Sequence, residues 1–144
     1  MKIHIVSLAN KMPGWVSEGF AEYQKRLKPL IDLQVKEIPL AKRDKQSEIK
    51  LYVGSPYYSI ALDSRGATYT SEQLAKQLAH WKLQGKPIAL LIGGPEGHLP
   101  DTAEHCQEQW SLSPLTFPHA LVRILLAEQI YRAQCILQGH PYHK

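Results

Sequence analysis

The feature that most restricts the fold of this chain is a run of five apolar residues, Ile88 to Ile92, followed at once by Gly93-Gly94-Pro95-Glu96-Gly97. A strand formed by such a run has no polar face for solvent and must be covered on both sides. Strands of that kind occur in parallel sheets that lie between layers of helices. The chain has 144 residues, which suits one domain of this architecture.

Alternating strand and helix patterns flank this run. The predicted strands cover residues 2–8, 33–38, 58–63 and 88–92, with a turn at 64–66 and a short strand and loop over 110–117. Two of the predicted helices begin after Pro13 and at a capping box formed by Thr70 and Gln73. Three others cover residues 41–51, 101–109 and 121–137. This order predicts one α/β domain, residues 1–144, with a mostly parallel sheet flanked by helices.

Composition excludes several classes of protein. Charged residues make up 21% and hydrophobic residues 44% of the chain, which is typical of a globular domain. No apolar run approaches the ~20 residues of a membrane span, and the N-terminus lacks a secretory pattern. The two cysteines, Cys106 and Cys135, fit neither a disulfide framework nor a zinc ribbon. We therefore expect a cytoplasmic protein without a metal site or a membrane contact.

Positive charge is concentrated in the first half of the chain. Of the 17 Lys/Arg and 13 Asp/Glu residues, 11 and 7 precede residue 72, so the net charge of +4 arises there. A clustered basic region favours a polyanionic partner such as RNA. The same charge also suits an ordinary solvated surface.

Three segments lie where a ligand would bind, because ligands of parallel sheets bind at the carboxyl ends of the strands. These segments are the residues after Leu62, the Gly93-Gly94 pair, and residues 112–117. Glycines at a strand end let the backbone turn and approach a ligand closely. The glycines do not follow GxGxxG and no GK[ST] follows, so dinucleotide and P-loop sites are not predicted. Residues 111–119 suit either an adenine-binding loop or a connection packed on the core.

The C-terminal helix and tail carry further candidates. Glu128 and Arg132 have the i,i+4 spacing that is typical of an ion pair on a helix. The tail, 140–144, offers His, Tyr and His as general bases, although chain ends of this kind are often frayed. His119 suits either a catalytic role or a structural one.

Together these motifs resemble a known family. The motifs are Leu62-Asp63-Ser64-Arg65-Gly66, Ile92-Gly93-Gly94-Pro95-Glu96-Gly97, Leu112-Ser113-Pro114-Leu115-Thr116-Phe117-Pro118-His119, Glu128-Gln129-Ile130-Tyr131-Arg132-Ala133 and Pro141-Tyr142-His143-Lys144. Over Met1–Lys144 the chain is similar to the SPOUT-class large-subunit (23S) rRNA (pseudouridine-N3-)methyltransferases, the RlmH family. Five motifs in the same order make a chance resemblance improbable.

The resemblance implies a SPOUT-type α/β knot, in which the C-terminal part is threaded as a trefoil knot. It also implies a homodimer that uses S-adenosyl-L-methionine to methylate N3 of a pseudouridine in large-subunit rRNA, in the assembled ribosome. Carried over to this chain, the cofactor-binding residues are Leu62, Gly93, Leu112, Ser113, Pro114, Leu115, Thr116 and Phe117.

The chemistry of N3 suggests roles for four further residues. The N3 proton lies between two carbonyls and must leave, so a cation beside the developing anion and a base are needed. We assign the cation to Arg132 and the base to His143, with Tyr142 stacking on or orienting the nucleobase. His119 is a weaker candidate for either role.

One segment departs from the family pattern. Between Lys50 and Tyr58 the chain has Leu-Tyr-Val-Gly-Ser-Pro-Tyr, roughly ten residues fewer than family members usually carry. The shape of the RNA-facing surface is therefore open. Two alternatives also stay open: a SPOUT-like enzyme acting on another RNA such as tRNA, and a non-catalytic RNA-binding factor associated with the ribosome.

Overall fold

A five-stranded parallel sheet forms the centre of the molecule. A computed structural model describes residues 1–143, except the side chain of His143. The strands are β1 (Lys2–Leu8), β2 (Asp32–Ile38), β3 (Tyr58–Ala67), β4 (Ile88–Ile92) and β5 (Glu108–Trp110). They lie in the order β2-β1-β4-β3-β5, and every neighbouring pair is parallel. The predicted parallel sheet is confirmed, and the trefoil knot stays a prediction.

Helices cover both faces of this sheet. They are α1 (Gly14–Leu27), α2 (Lys45–Lys50), α3 (Ser71–Gln84) and α4 (His119–Leu137), with short 3₁₀ turns at Ala103–His105 and Pro141–His143. Within residues 1–143, no helix combines the length and the apolar character that a membrane span requires.

The apolar run from Ile88 to Ile92 is the buried strand β4. All five of its residues are buried, and four of them pack in two separate cores. Ile88, Leu90 and Ile92 face a large core that includes residues of α1, α3 and α4. Leu91 faces a smaller core that includes Ile49 of α2. Full coverage of both faces explains why the sequence of β4 carries no polar alternation.

Strand β3 continues through the segment predicted as a turn. Residues 64–66 belong to β3, whose pairing with β5 shifts register between Leu62 and Ala67. A Cβ at Gly66 would lie 2.6 Å from backbone atoms of Gln109, so glycine permits this close approach of the two strands. The turn prediction was wrong because turn-forming residue types here serve an irregular strand.

The helix predicted over 101–109 was also wrong. This segment contains the 3₁₀ turn Ala103–His105 and the strand β5, and the Gln107 N–H donates to the Ser59 carbonyl at 2.9 Å. Pairing with β3 therefore outweighs the local helical preference. The helix predicted over 41–51 is confirmed only for Lys45–Lys50.

The predicted capping box is present at the start of α3. Thr70 Oγ1 accepts from the Gln73 N–H at 3.1 Å, and Gln73 Oε1 accepts from the Thr70 N–H at 2.8 Å. We expect Thr70→Ala to lower the free energy of unfolding by about 1 kcal/mol, because one donor of the first turn loses its acceptor. Urea unfolding measures this change. Thr70→Ser, which keeps the hydroxyl, serves as the control, and equal losses in both variants would contradict the capping role.

Candidate active site

A cleft of about 390 Å³ lies at the carboxyl ends of β3, β4 and β5. Its walls come from the end of β3, the glycine-rich turn after β4 and the loop between β5 and α4. The lining residues are Leu62, Asp63, Ser64, Arg65, Ile92, Gly93, Gly94, Gly97, His98, Trp110, Ser111, Leu112, Ser113, Leu115, Thr116, Phe117 and Val122. The cleft therefore forms where strand-end reasoning places a ligand.

Most of the cofactor residues implied by the resemblance meet in this cleft. The residues brought together are Leu62, Gly93, Leu112, Ser113, Leu115, Thr116 and Phe117. Pro114 belongs to the same loop but is not among the lining residues. Three segments that are far apart in sequence thus form one concave surface, as expected for a small-molecule site.

The loop between β5 and α4 is held in shape by its own hydroxyl groups. The Ser111 hydroxyl donates to the Ser113 carbonyl at 3.0 Å, and the Ser113 hydroxyl accepts from the Leu115 N–H at 3.0 Å. These local bonds shape an irregular loop, without helix or strand, at the cleft. The adenine-binding interpretation of this loop is compatible with that geometry.

The turn after β4 folds back on itself. The N–H groups of Gly94 and Gly97 each donate to the carbonyl of the other, at 3.0 and 2.9 Å, and Gly97 has a φ of +89°. A Cβ on Gly93 would lie 2.6 Å from the Gly97 carbonyl carbon. Glycine at position 93 is therefore required first by the packing of this turn, and only then by any ligand.

The cleft wall also contains residues to which the sequence assigned no individual role, among them Asp63, Arg65 and His98. Asp63 pairs with Arg65 at 3.3 Å, and the hydrogen bonds from the Arg65 side chain and backbone lower the pKa of this carboxyl. His98 follows the glycine-rich turn directly, and its Nε2 lies 2.8 Å from the Leu62 carbonyl oxygen. Adjacency to the Gly93–Gly97 motif was the available signal for His98.

His119 is not among the residues that line the cleft. Burial lowers the pKa of its ring, a hydrogen bond to the Gly93 backbone opposes this shift, and the nearby Arg123 charge lowers the pKa again. His119 Nε2 is buried and has no hydrogen-bond partner among the described residues. Arg123 is 3% exposed and contacts Ser7 Oγ at 3.2 Å and Glu37 at 3.6 Å. A catalytic role for His119 stays a prediction.

Arg132 and Tyr142 lie together on Glu128, far from the cleft. Arg132 pairs with a Glu128 carboxylate oxygen at 3.0 Å, and the Tyr142 hydroxyl donates to the same oxygen at 3.2 Å. The Arg132 guanidinium carbon is 5.1 Å from the centroid of the Tyr142 ring, which packs edge-on against Tyr131 at 4.6 Å. The tail is therefore docked on α4 through Tyr142.

These contacts hold both groups in their protonated forms. The hydrogen bond from Arg132 to Glu128 raises the pKa of the guanidinium. Burial raises the pKa of the Tyr142 phenol, and contacts with Tyr23 and Glu128 raise it further. Arg132 therefore remains a cation and Tyr142 a neutral hydrogen-bond donor at physiological pH. The side chain of His143, the predicted base, lies outside the described residues.

The two groups of candidates lie at opposite ends of α4. Val122 lines the cleft, and Arg132 follows ten positions later, so about 15 Å of helix axis separates them at 1.5 Å per residue. Neither Arg132 nor Tyr142 lines the cleft. Among the described residues, no group of three or more His, Cys, Asp or Glu side chains is placed to hold a metal ion.

Comparison with known sequences identifies relatives over the whole chain. The family model described as "Predicted SPOUT methyltransferase" matches residues 1–143. Proteins named ribosomal RNA large subunit methyltransferase H from Hahella chejuensis and Alkalilimnicola ehrlichii are 43% and 45% identical to this chain. The matches cover 100% of this chain and 99% of each relative. The first alignment spans 155 positions, which is consistent with a chain shorter than its relatives by about ten residues.

Solved structures with low sequence identity share the fold. A probable methylase family protein from Haemophilus influenzae has a TM-score of 0.60 at 13% identity, covering 99% of this chain and 70% of that one. The SpoU methyltransferase AviRb from Streptomyces viridochromogenes, in complex with AdoMet, has a TM-score of 0.52 at 11% identity, covering 94% and 61%. The solved structures show the same fold, and the family model and the full-length relatives show that the chain belongs to the SPOUT methyltransferase family.

Proposed function

We propose that this protein transfers a methyl group from S-adenosyl-L-methionine to N3 of a pseudouridine in large-subunit (23S) rRNA. The observation that carries the proposal is the cleft at the carboxyl ends of β3, β4 and β5. Seven of the eight residues implied for the cofactor line it, although they come from three separate segments. The named relatives support rRNA of the large subunit as the substrate class.

The residues of the cleft suit the proposed cofactor. Leu112 and Phe117 supply apolar walls for a flat ring, while Ser111 and the backbone of residues 111–117 supply polar groups around it. When bound, S-adenosyl-L-methionine supplies an electrophilic methyl group on a sulfonium. The chain's own task is to hold N3 of the nucleobase in line with that group, because alignment alone recovers ~7–11 kcal/mol of barrier.

Arg132 suits the stabilisation of negative charge on the nucleobase. N3 becomes a good nucleophile only when its proton leaves, and the resulting imide anion needs a fixed positive partner. Arg132 is a permanent cation, since its hydrogen bond to Glu128 raises its pKa. Tyr142 lies against it and presents an aromatic ring on which a nucleobase would stack. His143 is proposed as the base that takes the N3 proton.

A homodimer would bring these groups to the cleft. Within one chain about 15 Å of α4 separates Val122 from Arg132, too far for one nucleobase to contact both. We infer that Arg132 and the tail of one protomer complete the cleft of its partner. Such an arrangement is available to a symmetric pair, in which each chain both gives and receives the same residues.

The basic first half of the chain is proposed to contact the rRNA backbone. Lys36, Arg43 and Lys50 are exposed on and around β2 and α2. Lysines and arginines that contact phosphates make binding strongly dependent on salt concentration. An enzyme that acts on the assembled ribosome would work in the cytoplasm.

A methyl-transfer assay tests the proposed substrate. We expect transfer of the labelled methyl group to assembled ribosomes, with N3-methylpseudouridine recovered from the rRNA by mass spectrometry. Protein-free 23S rRNA and tRNA serve as comparison substrates. Transfer to tRNA alone would support a related enzyme of another RNA, and cofactor binding without transfer to any of the three would contradict the proposed activity.

The position of the cofactor is tested by filling the cleft. Thr116 lines it and is exposed, so Thr116→Trp adds a large ring there without disturbing the core. We expect affinity for S-adenosyl-L-methionine, measured by isothermal titration calorimetry, to fall by at least tenfold, because the ring and the ligand compete for one volume. Leu83→Trp, at an exposed position of α3, is the control. Unchanged affinity in Thr116→Trp would show that the cofactor binds elsewhere.

A further inference from the structure

His98 is placed across the floor of the cleft by the turn after β4. The pairing of β3 with β4 ends at Leu62 and Ile92. Beyond this point β3 is irregular, since Leu62 and Ala67 both pair with Trp110 of β5, and β4 passes into the tight Gly93–Gly97 turn. The two strands therefore separate where the cleft opens. The Nε2 atom of His98 is 2.8 Å from the Leu62 carbonyl oxygen and links the two sides.

The chemistry of this contact fixes the proton on one nitrogen. A carbonyl oxygen only accepts hydrogen bonds, so His98 Nε2 must carry the hydrogen and donate. A Cβ on Gly93 would meet the Gly97 carbonyl carbon at 2.6 Å and the His98 nitrogen at 2.7 Å. The backbone that carries His98 is thus packed directly on the end of β4. The side chain ties this rigid turn to the last regular residue of β3.

We propose that His98 is a positioning residue for the methyl donor. It sets the width of the cleft by holding Leu62 against the Gly93–Gly97 turn. The inference rests on the proposed function in taking this cleft as the cofactor site. Leu62 and Gly93 lie on the two sides that His98 joins, and both line the cleft. Without this hydrogen bond the two sides of the cleft move independently. Binding of the cofactor must then order them, and the entropic cost weakens the affinity.

Side chains of graded length test this role. We expect His98→Ala and His98→Asn to raise the Kd and KM for S-adenosyl-L-methionine about three- to tenfold, the range of one hydrogen bond. The kcat at saturating cofactor should stay near the wild-type value. His98→Gln places an amide N–H close to the position of Nε2 and should restore the Kd to within about twofold of wild type. Asparagine carries the same amide on a side chain one methylene shorter and should not.

A second histidine provides a matched control. His105 Nδ1 lies 2.6 Å from the Asp101 carbonyl oxygen, so His105→Ala removes the same kind of contact outside the cleft. It should leave the Kd unchanged. A wild-type Kd in His98→Ala, or no difference between the Gln and Asn variants, would overturn the positioning role even if Thr116→Trp abolishes binding. If Thr116→Trp binds S-adenosyl-L-methionine normally while the His98 variants bind it weakly, the proposed position of the cofactor is wrong.

Discussion

Arg132→Ala is expected to reduce kcat for methyl transfer to ribosomes by about 10²–10³-fold, the usual cost of removing one group that stabilises a developing anion. The affinity for S-adenosyl-L-methionine should remain at the wild-type value, because Arg132 does not line the cleft of its own chain and is proposed to contact the nucleobase rather than the cofactor. The two measurements are single-turnover methyl transfer with saturating cofactor and calorimetric titration of the ligand. Their divergence is the signature of a group that acts on the nucleobase rather than on the donor.

The competing interpretation of Arg132 is a helical ion pair with Glu128. Such a pair contributes only ~0.2–0.5 kcal/mol to helix stability, so its loss would leave kcat near wild type. Arg26→Ala is a suitable control, since Arg26 pairs with Glu22 at i,i+4 spacing and also lies 5.6 Å from the centroid of the Tyr131 ring. Equal, small effects of Arg26→Ala and Arg132→Ala would identify Arg132 as structural.

Arg132→Lys separates charge from shape. Lysine keeps the positive charge but loses the planar fork of donors that arginine offers to a flat nucleobase and to Glu128. We expect an intermediate kcat, above that of the alanine variant and below wild type. A lysine variant as inactive as alanine would indicate that the planar geometry of the guanidinium, rather than its charge, is what the reaction requires.

Much of the architecture is predicted by local sequence patterns. The apolar run 88–92 has no polar alternation, and it is the strand covered on both faces. Thr70 and Gln73 form the predicted capping box because their bonds involve only the first turn of α3. Features that depend on neighbours close in sequence were therefore predictable, and so was the edge of the sheet where the cleft lies.

Features that depend on distant partners were not predictable in the same way. Residues 108–110 form a strand only because β3 is present beside them. Gly66 is typical of a turn, yet it lies inside β3 where Gln109 comes too close for a Cβ. His98 is one of seven histidines, and only the three-dimensional turn after β4 places it on the Leu62 carbonyl. Long-range pairing decides each of these cases.

The separation of Arg132 from the cleft was predictable only in part. The residues 112–117 and 128–133 are close in sequence, and a long helix connects them. Only the direction of α4, which carries Arg132 away from the end that meets the cleft, shows that one chain does not assemble the proposed site. A composite site in a dimer is the consequence that is open to direct test.

Mixing two inactive chains is expected to restore about a quarter of the wild-type activity. One chain carries Arg132→Ala and keeps its cleft, and the other carries Thr116→Trp and keeps Arg132. Random pairing of equal amounts gives half mixed dimers, each with one site that joins an intact cleft to an intact arginine. The other site of the same dimer has both defects. Methyl transfer to ribosomes after denaturation and refolding of the mixture measures the recovery.

The same experiment distinguishes shared from self-contained sites. If each chain supplied both the cleft and the arginine to one site, every site in the mixture would carry one defect and activity would stay at the level of the separate variants. A chain that carries both substitutions, mixed with the wild-type chain, is the reciprocal control. Its mixed dimers contain one defect in each site, so activity per wild-type chain should fall to about half. Recovery in the first mixture together with loss in the second requires that Arg132 acts on the cleft of its partner.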